Sequence, residues 1–259
     1  MYKNLLIEKK GKIATLTINR PEKLNAVNFE VLKEIENALY DCRKDPTIGV
    51  IILTGAGEKS FVAGSDISLL STLNPRTGFN YAKLGHRVLN KIQNSPKPVI
   101  AGINGYALGS GCEMILACHI RIATSNARFG FPEVGLGLIP GHGGTQRLAR
   151  IVGMGNATEM ILTGKTLSAE DALKIGLVNM LVPPDELRKT LEEISNTILS
   201  KSLSAIKIAL RAINFNFDHP LKVGLRKEIE LFKECLTQND FREGTKAFME
   251  KRKPEFKGQ

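Results

Sequence analysis

Glu113 and Glu133 are the residues of this chain best placed by type and spacing to move protons. Each lies beside a glycine-rich segment, Ala107-Leu108-Gly109-Ser110-Gly111-Cys112-Glu113 and Phe129-Gly130-Phe131-Pro132-Glu133, in almost wholly apolar surroundings. A carboxylate resists burial unless it is paired or protonated. Two carboxyls converging on one pocket, in environments that separate their pKa values, can serve as general acid and general base. Taken singly, each has a plainer reading. Glu113 fits a first-turn glutamate that satisfies orphan helix N–H groups, and Glu133 fits a turn residue after Pro132.

Two glycine turns lie where such chemistry needs bare backbone. Phe61-Val62-Ala63-Gly64-Ser65-Asp66-Ile67 follows a strand pattern and opens a helix, and Gly109-Ser110-Gly111 does the same. Small residues at such turns let a ligand approach backbone N–H groups, and two facing turns make an oxyanion hole. The alternative is that the glycines only permit tight turns and that Asp66 is a helix N-cap. His142, in Pro140-Gly141-His142-Gly143-Gly144, reads as a loop residue rather than a base, and His119 as a structural residue at a strand entry.

Several familiar motifs fail on a single position. Gly164-Lys165-Thr166 ends like a phosphate-binding loop, but Glu159 stands where its first glycine is required. Gly109 and Gly111 begin a dinucleotide fingerprint whose third glycine is Met114. Ser110 is not a nucleophile elbow, because Leu108 and Cys112 occupy its glycine positions. Nucleotide hydrolysis, hydride transfer and serine hydrolysis therefore have little support.

The elements that must carry these residues alternate. Residues 3–9 and 12–18 read as two strands joined at Gly11, and 20–26 as a loop. Helical spacing runs from Asn28 to Cys42 (Phe29, Leu32, Ile35, Ala38, Leu39). Val50–Gly55, the run from Pro98 and Ile120–Thr124 read as strands; 66–72, 78–94 and Cys112–Cys118 read as helices. Beyond about residue 140 the pattern is mainly helical: 145–151, 155–162, 168–174, 184–200, 202–215 and 221–237, the last opened by His219-Pro220 with Asp218 as a cap. The expectation is an α/β body over residues 1–200 and a helical C-terminal region over 201–259.

The chain has 259 residues, enough for a sizeable core, and no apolar run of membrane-spanning length. Charges follow directly on the short apolar step at its start, so residues 1–10 read as a strand rather than a signal peptide. Four cysteines without a Cys-x-x-Cys pair, and four histidines, argue against a metal site or disulfide framework and for a reducing cytoplasm. The net charge of +10 fits either plain solubility or an anionic ligand. No basic–aromatic interleaving of the kind that binds RNA is visible, so nucleic acid is not expected as a partner.

The chain resembles the crotonase (enoyl-CoA hydratase/isomerase) superfamily over nearly its full length, most closely the short-chain enoyl-CoA hydratases. The resemblance rests on Asn19-Arg20-Pro21 with Leu24-Asn25-Ala26, on Phe61 to Ile67, on Lys97 to Glu113, on Phe129 to Glu133, on Gly135 to Leu148, on Leu162-Thr163-Gly164, Ala172 and Gly176-Leu177-Val178, and on Glu243-Gly244 with Ala247 to Arg252. Together these are specific; any one alone is weak.

The resemblance implies a crotonase fold, a ββα-repeat spiral with C-terminal helices that pack on neighbouring subunits, and a homotrimer or dimer of trimers. It implies an acyl-CoA substrate, with coenzyme A as part of the substrate and no separate cofactor or metal. The thioester oxygen would accept hydrogen bonds from the backbone N–H groups of Ser65 and Ser110. Lys23, Leu24, Ala26, Ala63, Asp66 and Ile67 would hold the nucleotide and pantetheine, and residues 70–85 would line or cap the acyl pocket. Glu113 would hold a water and take its proton, and Glu133 would protonate C2, giving hydration of a trans-2-enoyl-CoA to a 3-hydroxyacyl-CoA. Related isomerases use the second glutamate alone, and some relatives bind RNA; the presence of both glutamates favours hydration. Phe131 stands where glutamine is frequent and His119 where aspartate is frequent. The first bears on the orientation of Glu133 or on which acyl chains fit.

Overall fold

The computed structural model of the chain describes residues 2–258. Strands β1 (Leu5–Lys10) and β2 (Ile13–Ile18) pair antiparallel, with Leu5 opposite Ile18 and a turn through Gly11 at φ +56°, where glycine avoids a Cβ clash. Helix α1 (Phe29–Lys44) starts where the Asn28 side chain accepts the Val31 N–H, and buries Val31, Leu32, Ile35, Ala38, Leu39 and Cys42 on one stripe.

Three ββα units follow. The first is β3 (Val50–Gly55), β4 (Ser60–Val62), the short α2 (Ile67–Leu70) and α3 (Pro75–Gln93). The second is β5 (Val99–Ile103), β6 (Tyr106–Leu108) and α4 (Ser110–Ala117). The third is β7 (Ile120–Thr124), β8 (Arg128–Gly130), a 3-10 turn at Pro132–Leu136 and α5 (Gly144–Thr163). In each unit the first strand joins one sheet and the second joins another. With β9 (Thr166–Ser168) and, after α6 (Ala169–Lys174), β10 (Met180–Val182), the sheets run β1-β2-β3-β5-β7-β10 and β4-β6-β8-β9.

The large sheet is covered on both faces, which explains its near-continuous apolar strands. Ile51, Leu53, Val99, Ala101 and Ile103 enter the main core with α1 and α3. Val50, Ile52, Ile100 and Ile122 face α7 (Leu187–Leu199) through Leu187 and Leu191. Helices α8 (Leu203–Phe215), α9 (Leu221–Leu236) and α10 (Asn239–Met249) bury little, and leave Leu221, Ile229, Phe232, Phe248 and Met249 exposed.

The long elements match the periodicity, with three differences. The spans 145–151 and 155–162 form one helical run broken at Gly153, whose φ of +80° and ψ of +159° interrupt the ladder. Asp218 does not cap α9: Pro220 is the N-cap residue, and no side chain accepts there. The three-residue strands β4, β6, β8, β9 and β10, and helix α10, lie outside the expected elements. Three residues are too few to show a period.

The loop at 20–26 is pinned rather than free. Leu24 and Asn25 both take positive φ, +49° and +59°. Fully buried Asn25 accepts the Arg20 N–H at 3.0 Å and donates to the carbonyls of Ala56 at 2.9 Å and Ser60 at 2.8 Å. Asn25→Ala removes all three bonds and places a less tolerant residue in the left-handed region. Urea unfolding should show a loss of about 2–4 kcal/mol.

Candidate active site

Three segments of distant sequence meet because β4, β6 and β8 are parallel neighbours: Val62 lies opposite Ala107, and Leu108 opposite Gly130. Their carboxyl ends deliver Ala63–Asp66, Gly109–Ser110 and Phe131–Glu133 to one edge, the side on which parallel sheets bind ligands. Two glycines make the convergence sterically possible. Gly109, at φ +48°, turns β6 into α4, and a Cβ there would stand 2.6 Å from Glu133 Oε1. At Gly111 a Cβ would overlap the Val62 carbonyl, so α4 can lie directly on β4.

The edge opens on a cavity of about 450 Å³. Ala63, Ser65, Ile67, Ser110, Glu113 and Glu133 line it. Lys23, Leu24, Ala26 and Asp66 stand outside that lining, on the pinned loop and the adjoining turn. The two segments are stitched together: Val27 N–H donates to Gly64 O at 2.9 Å, Asp66 N–H to Val27 O at 2.8 Å, and Ala63 N–H to Leu24 O at 3.1 Å. Asp66 does cap α2, accepting the Ser68 N–H, and it also binds Arg20 at 3.0 Å. Burial raises the Asp66 carboxyl, but Arg20 and the Ser68 N–H outweigh it and hold it below the usual range.

Glu113, 1% exposed, is the more constrained carboxyl. Its Oε1 accepts the N–H groups of His142 and Gly144, both at 2.7 Å. Burial pushes its pKa up to about 7; the two N–H donors oppose the rise, and Glu133 adds repulsion. The loop supplying those N–H groups is itself fixed. Arg147 donates to His142 O at 3.0 Å, to Gln93 Oε1 and to Asn90 Oδ1. The His142 ring packs edge-on against Tyr81 at 4.9 Å and occupies the space a Cβ on Gly85 would fill. Burial takes the His142 pKa down to about 4, so the ring is neutral; its Nδ1 is 3.8 Å from Glu113 Oε2, too far for a hydrogen bond. His142 thus acts through its backbone, as a loop residue.

Glu133 is the second residue of the 3-10 turn at Pro132–Leu136 and has a buried Oε2 with no hydrogen-bond partner among the described residues. Burial raises its pKa. Phe131 lies two residues before Glu133. Its ring is fully buried and, with the stem of Glu113, borders Gly144: a Cβ there would meet Phe131 Cε1 at 2.8 Å and Glu113 Cγ at 3.0 Å. Phe131 and the stem of Glu113 thus close on the same backbone position.

The N–H of Ser110 is the first of α4, and that of Ser65 has no acceptor among the described residues; both lie at the cavity. Neither serine has positive φ, since Gly64 and Gly109 take the left-handed angles instead. The two hydroxyls are 2.6 Å apart, and Tyr81 Oη lies 2.9 Å from Ser65 Oγ.

Residues 70–85 do line the cavity, through Leu70, Leu73, Phe79, Tyr81 and Ala82. The sequence reading missed Leu136, Leu138 and Ile139, which line it from the opposite side. Their signal was an apolar run with no helical or strand period, left in a loop. His119 is structural: its Nδ1 accepts the Val99 N–H at 2.9 Å and its Nε2 pairs with Gln93 O at 3.0 Å. No helix among the described residues is long and apolar enough to cross a membrane.

Comparison with known proteins agrees at every level. Residues 8–259 match the family model described as enoyl-CoA hydratase/isomerase. The chain is 49% identical over 252 residues to a short-chain-enoyl-CoA hydratase of Clostridium acetobutylicum, covering 97% of each protein. It is 44% identical over 255 residues to a crotonyl-CoA hydratase of Syntrophomonas wolfei, covering 98% of each. A crystal structure of an enoyl-CoA hydratase from Bacillus anthracis superposes with a TM-score of 0.96 at 36% identity, covering 99% of this chain and all of that one. The two-sheet spiral is thus the crotonase fold, and this chain belongs to the enoyl-CoA hydratase/isomerase family.

Proposed function

We infer that this protein is an enoyl-CoA hydratase, adding water reversibly across the 2,3 double bond of a trans-2-enoyl-CoA to give a 3-hydroxyacyl-CoA. The observation that carries the reading is the pair of glutamates, both with raised pKa, on one cavity beside two free backbone N–H groups. The hydratase names of the near full-length relatives support it.

In this mechanism the thioester oxygen accepts from the N–H groups of Ser65 and Ser110, which stabilise the charge it gains as water attacks C3. Ionised Glu113, held by His142 and Gly144, orients the water with its other oxygen and takes the proton. Protonated Glu133 delivers its proton to C2, so one hydroxyl and one hydrogen are added. Dehydration reverses both transfers. The stitched loop carrying Lys23, Leu24 and Ala26, with Ala63, Asp66 and Ile67, receives the pantetheine and nucleotide; its cation and the net charge of +10 suit the ligand's phosphates. The exposed apolar residues of α9 and α10 support a homotrimer or dimer of trimers built on residues 201–259. A cytoplasmic location fits the free cysteines.

Purified protein should deplete the conjugated-enoyl absorbance of crotonyl-CoA. Binding of CoA thioesters with that absorbance unchanged would overturn the reading. Glu113→Gln and Glu133→Gln should each lower hydration roughly 10²–10⁴-fold. An isomerase working through Glu133 alone would instead keep its rate in Glu113→Gln.

The base must be ionised, so kcat/KM should rise with pH through a midpoint near the Glu113 value of about 7. Phe131→Gln hydrates the carboxylate, favours its charged form and should move that limb to lower pH. A pH–rate profile of both proteins checks the sign.

Gly85→Ala drives a methyl into the His142 ring and shifts the two N–H groups that hold Glu113. It should lower kcat roughly tenfold or more, with a smaller change in KM. Steady-state kinetics beside a thermal melt separates this from unfolding.

A further inference from the structure

The cavity floor holds a feature that the two-glutamate mechanism leaves unused: three hydroxyls in a row. Ser65 Oγ lies 2.6 Å from Ser110 Oγ. Tyr81 Oη lies 2.9 Å from Ser65 Oγ and 3.1 Å from the carbonyl of Val27. Tyr81 is held from both sides, edge-on to Phe29 at 5.0 Å and to His142 at 4.9 Å, so its hydroxyl is fixed in place.

Each hydroxyl has one proton; Tyr81 donates to Ser65 Oγ, and either serine of the 2.6 Å pair can be the donor to the other. In the first arrangement Ser110 also donates to Ser65, whose own proton is then the free one. Ser110 Oγ then presents only lone pairs to the cavity. In the second, Tyr81 donates to Ser65 and Ser65 to Ser110, leaving the Ser110 proton directed into the cavity. Val27 O, which Tyr81 Oη also approaches, is satisfied in both by the Asp66 N–H at 2.8 Å. The two arrangements interconvert by rotating hydroxyls, without breaking any covalent bond.

We propose that Ser110 Oγ is a third donor of the oxyanion hole, a catalytic residue that Ser65 and Tyr81 turn outward when the thioester oxygen gains charge. This rests on the hydratase reading above. A neutral carbonyl gains little from the extra donor, whereas a developing enolate oxygen makes a charge-assisted bond of about twice the strength, reinforced by the two hydroxyls behind it. The stabilisation therefore acts on kcat more than on KM. Ser65 and Tyr81 are positioning residues. They also brace the two glycine turns against each other, which fixes the gap between the two backbone N–H groups. Burial raises the Tyr81 phenol and keeps its proton in place.

Wild-type hydration of a short enoyl-CoA, measured first, tests the underlying reading. Ser110→Ala keeps the backbone N–H and removes only the hydroxyl. Its kcat should fall roughly tenfold or more, with KM within about threefold of wild type. The second measurement is the red shift in absorbance of a bound, slowly hydrated 3-aryl enoyl-CoA, which reports polarisation of the thioester directly. That shift should shrink in Ser110→Ala and recover in Ser110→Thr; Ser110→Gly replaces the alanine variant if that one does not fold. Ser65→Ala and Tyr81→Phe leave the donor present and should cost less than Ser110→Ala. A Ser110→Ala protein with wild-type kcat and wild-type shift overturns the proposal. So does a loss of kcat with the shift unchanged, which is the mark of a purely structural hydroxyl. If wild type binds enoyl-CoA without hydrating it, the hydratase reading fails while the spectral arm still decides whether Ser110 donates.

Discussion

The site depends on parallel pairing in a sheet only three residues deep. β4, β6 and β8 run side by side, so their carboxyl ends must emerge together, and residues some 45 and 23 positions apart along the chain (Ser65, Ser110, Glu133) reach one edge without long loops. So small a sheet cannot hold itself. It is held because each short strand continues a longer one: β3, β5 and β7, embedded in the six-stranded sheet, set the spacing that β4, β6 and β8 inherit. The ββα repeat transfers the rigidity of a two-sided core to a thin layer that can face a ligand.

That rigidity matters because the carboxyls are held against their own preference. Burial disfavours the ionised form of both glutamates, and the protein answers differently at each. Glu113 receives two backbone N–H bonds on one oxygen, enough to keep a charge accessible near neutrality. Glu133 leaves one buried oxygen unpartnered, an arrangement that favours the protonated form. Two residues of one type thus sit in different hydrogen-bonding environments, although burial raises both. Arg147, the Gly85 notch and Phe131 all act on Glu113 through its surroundings, so the conformation of the loop at 140–144 is part of that residue's chemistry.

Legibility mostly followed element length, with the eleven-residue α10 as the exception. α1, α3 and the strands β2, β3 and β5 were visible because their burial stripes repeat over several turns or pleats. The three-residue strands that aim the site carry no period, and their pairing is set by tertiary register. Glu113 and Glu133 were legible as chemistry because charged residues in apolar runs are costly, and Ser65 and Ser110 because of the glycines beside them. Phe131 is two residues from Glu133 along the chain, yet its fully buried ring borders Gly144 together with the stem of Glu113. The serine–tyrosine hydroxyl chain was not legible, since Ser65, Tyr81 and Ser110 share no motif and meet only across two turns and a helix.

The cavity rim suits a ligand with an apolar tail. Ile67, Phe79, Leu136 and Ile139 are all more than half exposed, and all border the same cavity. Scattered exposed apolar residues need no explanation, but four around one opening form a patch whose exposure costs free energy until something covers it. Two belong to the first ββα unit and two to the segment after β8, so a ligand lying between them buries apolar surface on both sides at once. In the proposed reading, the polar parts of such a ligand meet the stitched loop with Lys23 and the inner edge with its free N–H groups. An elongated molecule with an apolar end, a polar reactive centre and an anionic end satisfies all three regions together, and an acyl-CoA thioester has that order of parts.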